Sequence, residues 1–185
     1  MLNIIAGTLS VGVTPSTSSY ESIATVTVGS GGTSSYVEFT SIPSTYTDLQ
    51  VRALYGTTSV DSTSIMRINA DTSSVYAYHY IIGTGSTIFT GASINRDLGH
   101  LTDRNGGGLT SSPSVAIIDY LDYANTNKFK TVRILQGYDA NGSGNINFES
   151  NLWRSTSAIT SIQIYAPSGG SIVQNSKFAL YGIKG

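Results

Sequence analysis

Phe178-Ala-Leu-Tyr-Gly-Ile-Lys-Gly185 closes the chain. Phe178 and Leu180 alternate with Ala179 and Tyr181, the period of a strand whose two faces meet different surroundings. The expectation is a strand that runs to the last residues, with that end tied into the fold. Upstream the same period recurs. Residues 48–55 set Leu49, Val51, Ala53 and Tyr55 on one face, and further strands are expected at 21–28, 35–40, 64–69, 75–82, 115–121, 129–135, 144–153, 158–165 and 176–183. Gly, Asn, Ser and Pro punctuate them, and no helical period lasts beyond two turns. Ten or so short strands at this spacing predict an all-β fold: an antiparallel β-sandwich, jelly-roll-like. Hairpins are expected across 29–32, 70–74 and 122–127.

Composition supports that reading. Ser and Thr make up more than a quarter of the 185 residues, with 20 Gly and 12 Tyr, and only 11 % of residues are charged, against the roughly 25 % of ordinary soluble domains. Such a surface suits packing against copies of itself, because few charges need desolvation. A net charge of −1 gives no footprint for nucleic acid. Cys is absent, which excludes disulfides and thiol chemistry. No apolar run approaches the roughly 18 residues of a membrane span, and the N-terminus lacks the basic start of a signal peptide. Residues 1–19, with the linker-like Thr14-Pro-Ser-Thr-Ser-Ser19, read as an arm, and 20–185 as one β-sandwich domain.

The chemistry of a catalyst is poorly represented. There is no Gly-x-Ser-x-Gly elbow, and His79 and His100 are the only histidines. No catalytic residue set, cofactor or metal centre is expected. Eleven acids make a glycosidase-type carboxylate pair conceivable, but Asp139 and Glu149 read as residues of a solvated hairpin. Asp139, Asn141 and Ser143 match the first ligand positions of a calcium loop. The twelfth position is Ser150, so a polar turn on Asn141-Gly142 is preferred.

Two surfaces are candidates for contact. The stretch 94–112 concentrates Arg96, Asp97, His100, Asp103 and Arg104 in a charge-poor chain, and reads as a long, Gly-rich functional loop. Tyr76, Tyr78 and Tyr80 share one strand face. With Val75, Ala77, His79 and Ile81 as core, these tyrosines form an outward ladder suited to a subunit interface or to sugar rings.

Several strings together resemble a family of small β-rich proteins encoded among the virion structural genes of tailed bacteriophages. They are Tyr20-Glu-Ser-Ile-Ala-Thr-Val-Thr-Val28, Asp48-Leu-Gln-Val-Arg52, Arg67-Ile-Asn-Ala-Asp-Thr72 with Tyr78-His79, Asp122-Tyr-Ala-Asn-Thr-Asn-Lys128 with Lys130-Thr-Val-Arg133, Ala158-Ile-Thr-Ser-Ile162, and the Leu180-Tyr-Gly-Ile-Lys-Gly185 ending. One departure is Asn69-Ala70-Asp71, where the family has Asn-Gly-Asp. The resemblance covers residues 20–185 and brings no catalytic set. It implies a tail- or fibre-associated virion protein assembled in the host cytoplasm, and the arm of residues 1–19, outside the resemblance, is expected to anchor it to other virion proteins. A homo-oligomer, by preference a trimer, and adhesion to a host-surface glycan are the expected partnerships. A capsid decoration or head-fibre protein and a glycan-degrading tail enzyme are the alternatives.

Overall fold

The structure, a computed structural model, describes residues 19–185. The expected arm therefore lies outside the described residues, Ser19 excepted. Twelve strands follow in order: β1 (Tyr20–Thr27), β2 (Tyr36–Phe39), β3 (Asp48–Tyr55), β4 (Ser64–Ile68), β5 (Tyr76–Gly83), β6 (Ile88–Arg96), β7 (Gly99–Thr102), β8 (Ser114–Leu121), β9 (Lys130–Asp139), β10 (Gly144–Trp153), β11 (Ile162–Tyr165) and β12 (Lys177–Ile183). The fold is an all-β sandwich. An eight-stranded sheet runs β1-β12-β3-β8-β9-β10-β5-β6, and a four-stranded sheet runs β2-β11-β4-β7. Every pairing is antiparallel.

The closing strand sits where its alternation predicts. β12 lies between β1 and β3, with Leu180 opposite Ala24 and Val51 and with Phe178 opposite Val26 and Ala53. Phe178 and Leu180 face inward with Leu49, Val51, Ile118 and Ile134, and meet Met66, Ile68, Ile162 and Ile164 of the small sheet in one apolar core. Burying such side chains contributes roughly 1.5–3 kcal/mol each.

Two expected hairpins are crossings instead. β1 pairs with β12 and not with β2, and β4 and β5 lie in different sheets. The hairpin at 122–127 forms as expected between β8 and β9. That at 140–143 joins β9 to β10 as a tight turn, with Asn141 (φ 55°) and Gly142 (φ 117°) both left-handed. This is the pattern of a type I′ turn. Asp139 serves that turn by accepting the N–H of Asn141 at 2.7 Å.

The stretch 94–112 is not a structureless loop. It begins in β6, an edge strand whose weak alternation left no signal in the sequence, and contains β7, all four residues of which are buried. The tyrosine ladder also faces the opposite way from expectation. Tyr76 is completely buried and Tyr78 and Tyr80 are partly buried, while His79 and Ile81 point to solvent. The tyrosines carry the larger apolar area, and the Tyr76 and Tyr80 hydroxyls find partners at Ile68 and Asp103, so that face wins the core.

Candidate functional site

Strands β9, β10, β5 and β6 extend the large sheet past β8, and β7 packs beneath β10 and β5. The residues that meet there are polar. The inward face of β10 carries Asn145, Asn147, Glu149 and Asn151, all buried, before Trp153. Glu149, expected on a solvated hairpin, is thus an interior group. By alternation alone the Ile146/Phe148/Leu152 face of β10 would be the core, and the polar partners supplied by β7 turn the other face inward.

His100 is the centre of this interior. Its Nδ1 lies 2.7 Å from Glu149 Oε2 and its Nε2 lies 2.8 Å from Asp103 Oδ1. Tyr78 and Tyr80 stack on the imidazole at centroid distances of 4.5 and 5.1 Å. The backbone of β7 is held too. Asn151 Oδ1 accepts the His100 N–H at 2.8 Å, and Asn151 Nδ2 donates to the His100 carbonyl at 2.9 Å. Further in, Asn147 Nδ2 donates to Gln136 Oε1 at 2.7 Å and also to Thr102 Oγ1.

The electrostatics follow from this geometry. Burial opposes a charge on His100, but its hydrogen bonds to Asp103 and Glu149 outweigh that and raise its pKa to about 9. The His100 hydrogen bond, with help from the Tyr80 and Thr63 hydroxyls, holds the Asp103 carboxyl well below the usual carboxylate range. Burial pushes Glu149 upward. At neutral pH the site holds an imidazolium flanked by Asp103 carboxylate and two aromatic faces, an arrangement that also gains from cation–π attraction.

Above His100 the site opens to solvent as a cavity of about 350 Å³ lined by Asp61, Tyr80, Ile82, Phe89, Asp103 and Arg104. The Arg104 guanidinium lies 4.8 Å from the Phe89 ring centroid and 3.6 Å from Asp61 Oδ1. Tyr138 donates to the same Asp61 oxygen at 2.7 Å. The Tyr80 hydroxyl bonds Asp103, which raises its pKa to about 12. Gly91 lies opposite Tyr80 in β6, and a Cβ there would come within 2.5 Å of the tyrosine ring. The ring occupies the space a side chain would need.

Of the expected contact residues, Tyr80, Asp103 and Arg104 line the cavity, while Tyr78 and His100 lie in the cluster joined to it through Tyr80 and Asp103. Tyr76 is elsewhere in the core, its hydroxyl accepting the Ile68 N–H at 3.0 Å. Arg96 is an exposed residue of β6, and Asp97 meets Arg67 at 3.9 Å. Asp139, Asn141 and Ser143 belong to the β9–β10 turn. Sequence reasoning missed Asp61, Phe89, Glu149 and Asn151. Phe89, an isolated aromatic in a Thr- and Gly-rich stretch, was the one available signal. Among the described residues no group of three or more acidic or histidine side chains is placed to hold a metal ion. No helix among them is long and apolar enough to cross a membrane.

No family model matches this chain, and neither the curated proteins nor the solved structures contain a match.

Proposed function

We propose that this chain is a structural, non-catalytic component of a tailed-bacteriophage virion. It is tail- or fibre-associated, attached to the particle through residues 1–19, assembled as a homo-oligomer, and adhesive toward a host-surface glycan. The phage assignment rests on the ordered strings quoted above. The adhesive part rests on one observation: the Asp61–Tyr80–Phe89–Asp103–Arg104 cavity combines aromatic faces with fixed charged donors and acceptors, the chemistry that holds a sugar ring. Weak single sites of this kind gain roughly 10²–10⁴ in avidity when copies are linked. The strand order also supports the jelly-roll reading. β1-β12-β3-β8 facing β2-β11-β4-β7 is the two-Greek-key order of that fold, with the hairpins β5–β6 and β9–β10 added beyond β8.

Support for the non-catalytic reading comes from the acids themselves. Asp103 and Glu149 both partner one imidazole, and Asp103 is held ionised, so neither is free as a general acid at the cavity mouth. Immunogold labelling of intact particles tests the assignment. Label on tails or fibres supports it, label on the head favours the capsid-decoration alternative, and no label on any particle defeats it. Glycan-array binding that is lost in Phe89→Ala and Arg104→Ala, both folded, supports the adhesive cavity. Release of reducing sugar by the wild type, abolished by Asp103→Asn, would replace adhesion with hydrolysis.

A further inference from the structure

The outer face of the large sheet is apolar where a solvent face is normally polar. In β10, Ile146 and Phe148 point outward at 65 and 54 % exposure while the asparagines point inward. These are not isolated side chains. Ile117 faces Leu135, Leu135 faces Phe148, and Phe148 faces Ile81, a row that crosses four adjacent strands. One step along, Leu54, Val115, Gly137, Ile146, Gly83 and Ile88 form a second row. No charged side chain interrupts either row between Arg52 or Lys177 at one side and β6 at the other. The next row turns polar with Asp119, Arg133, Ser150 and His79.

Eight large apolar side chains on this band are 40–69 % exposed. At roughly 100 Å² of surface left in water by each, they exceed the largest patch of a typical monomer and reach about the 800 Å² per partner of a standard interface. The band also has relief. Across β3, β8, β9 and the start of β10 it dips into an open depression of about 1140 Å³ that reaches Gly83 at the end of β5, floored by Leu54, Val115, Ile117, Leu135 and Ile146, with Gly137 leaving a gap between side chains. Phe148, Ile81 and Ile88 lie beside the depression and outside it.

We infer that this face is the surface on which a second copy of the chain docks, face to face about a two-fold axis that runs near β9 and β10. Such an axis lays the Phe148–Ile81 half of one band over the depressed half of the other, so the face is complementary to itself, as an isologous contact requires. Two packed sheets then share an apolar layer about 10 Å thick. This specifies the surface for the homo-oligomer proposed above and rests on that part of the reading. It gives a dimer in place of the trimer expected from the sequence.

Sedimentation velocity of the full chain across a hundredfold concentration range tests it. The expected result is a dimer that Leu135→Glu and Phe148→Glu each convert to a 19.5 kDa monomer with an unchanged far-UV spectrum, while Val60→Glu, an exposed apolar site off this face, leaves the dimer intact. Because the chain has no cysteine, Leu135→Cys gives an independent readout: a short bis-maleimide, able to span the roughly 10 Å between packed sheets, links two copies through that single thiol. A full chain that is monomeric throughout overturns the inference together with the homo-oligomer reading. A dimer indifferent to both Glu substitutions, or a trimer, overturns this surface alone and leaves homo-oligomerisation standing.

Discussion

Asn151 grips His100 by both of its backbone polar groups, accepting the N–H at 2.8 Å and donating to the carbonyl at 2.9 Å. One side chain of the large sheet thereby does for β7 what a neighbouring strand does in a ladder, and it fixes the imidazole between Glu149 and Asp103. Asn151→Ala leaves two buried backbone groups unpaired, at about 1–3 kcal/mol each in the buried setting. Asn151→Asp sets a carboxylate oxygen against the His100 carbonyl and buries a further acid beside Glu149, so it is expected to destabilise at least as much as alanine. Urea unfolding of the three proteins ranks them.

Glu149 supplies the buried end of the ion pair. Glu149→Ala leaves the His100 imidazolium without that partner inside the sandwich, and the expected loss is about 3–5 kcal/mol. The pKa of His100 falls in the same variant. Proton NMR reads this directly, because the chain has only one other histidine, His79.

Stability depends on pH through the same group. His100 has a folded pKa of about 9 against about 6.5 in the unfolded chain. Between those values the folded state holds the extra proton, so unfolding free energy falls as pH rises through this window. Below it the His100 contribution is fully present. Asp103, depressed in the folded state, adds stability above its unfolded value near 3.9 that is lost as pH drops through and below it. Glu149, raised by burial, works against stability as it ionises. Thermal melts from pH 5 to 10 should show the midpoint decline above neutrality, and His100→Gln should flatten the decline.

Asn69 and Ala70 both have positive φ, 52° and 53°, and Asp71 N–H bonds the Ile68 carbonyl at 3.0 Å to close the turn. The two residues are there for different reasons. Ala70 bears the cost of its Cβ in a left-handed conformation, so Ala70→Gly is expected to stabilise by about 0.5–1 kcal/mol. Asn69 uses its side chain: Oδ1 accepts from the N–H groups of Thr160 and Ser161, and Nδ2 donates to the Ala158 carbonyl at 2.8 Å. Asn69→Gly therefore destabilises by about 1–3 kcal/mol. Denaturant midpoints of opposite sign for adjacent glycine substitutions check the pair.

Gly91 makes room for Tyr80. Gly91→Ala displaces that ring from its stack on His100 and costs about 1–3 kcal/mol through overpacking. The near-UV circular dichroism of the tyrosines should change more than the far-UV signal, because β6 itself tolerates a side chain at an edge.

Strands with one apolar face were legible from residue order. Leu49, Val51, Ala53 and Tyr55 on β3, and Phe178 and Leu180 on β12, are buried as their alternation requires. β5 and β10 were not legible in the same way. β5 offers two faces of similar quality, Tyr76/Tyr78/Tyr80 against Ala77/His79/Ile81, whereas in β10 the pattern points the wrong way: the apolar Ile146/Phe148/Leu152 face is the outer one and Asn145/Asn147/Glu149/Asn151 are buried. A period of two identifies a strand without saying which side is in. β7 was hidden because four buried residues flanked by charges read as loop.

Period-two patterning and turn chemistry are local, so the chain order alone determined an all-β protein, most strand positions and the hairpin at 122–127. Burial is a property of what arrives from elsewhere. Only the packing of β7 beneath β10 and β5 turned polar side chains inward, joined His100 to Glu149 forty-nine residues away, and left an apolar band on the outside.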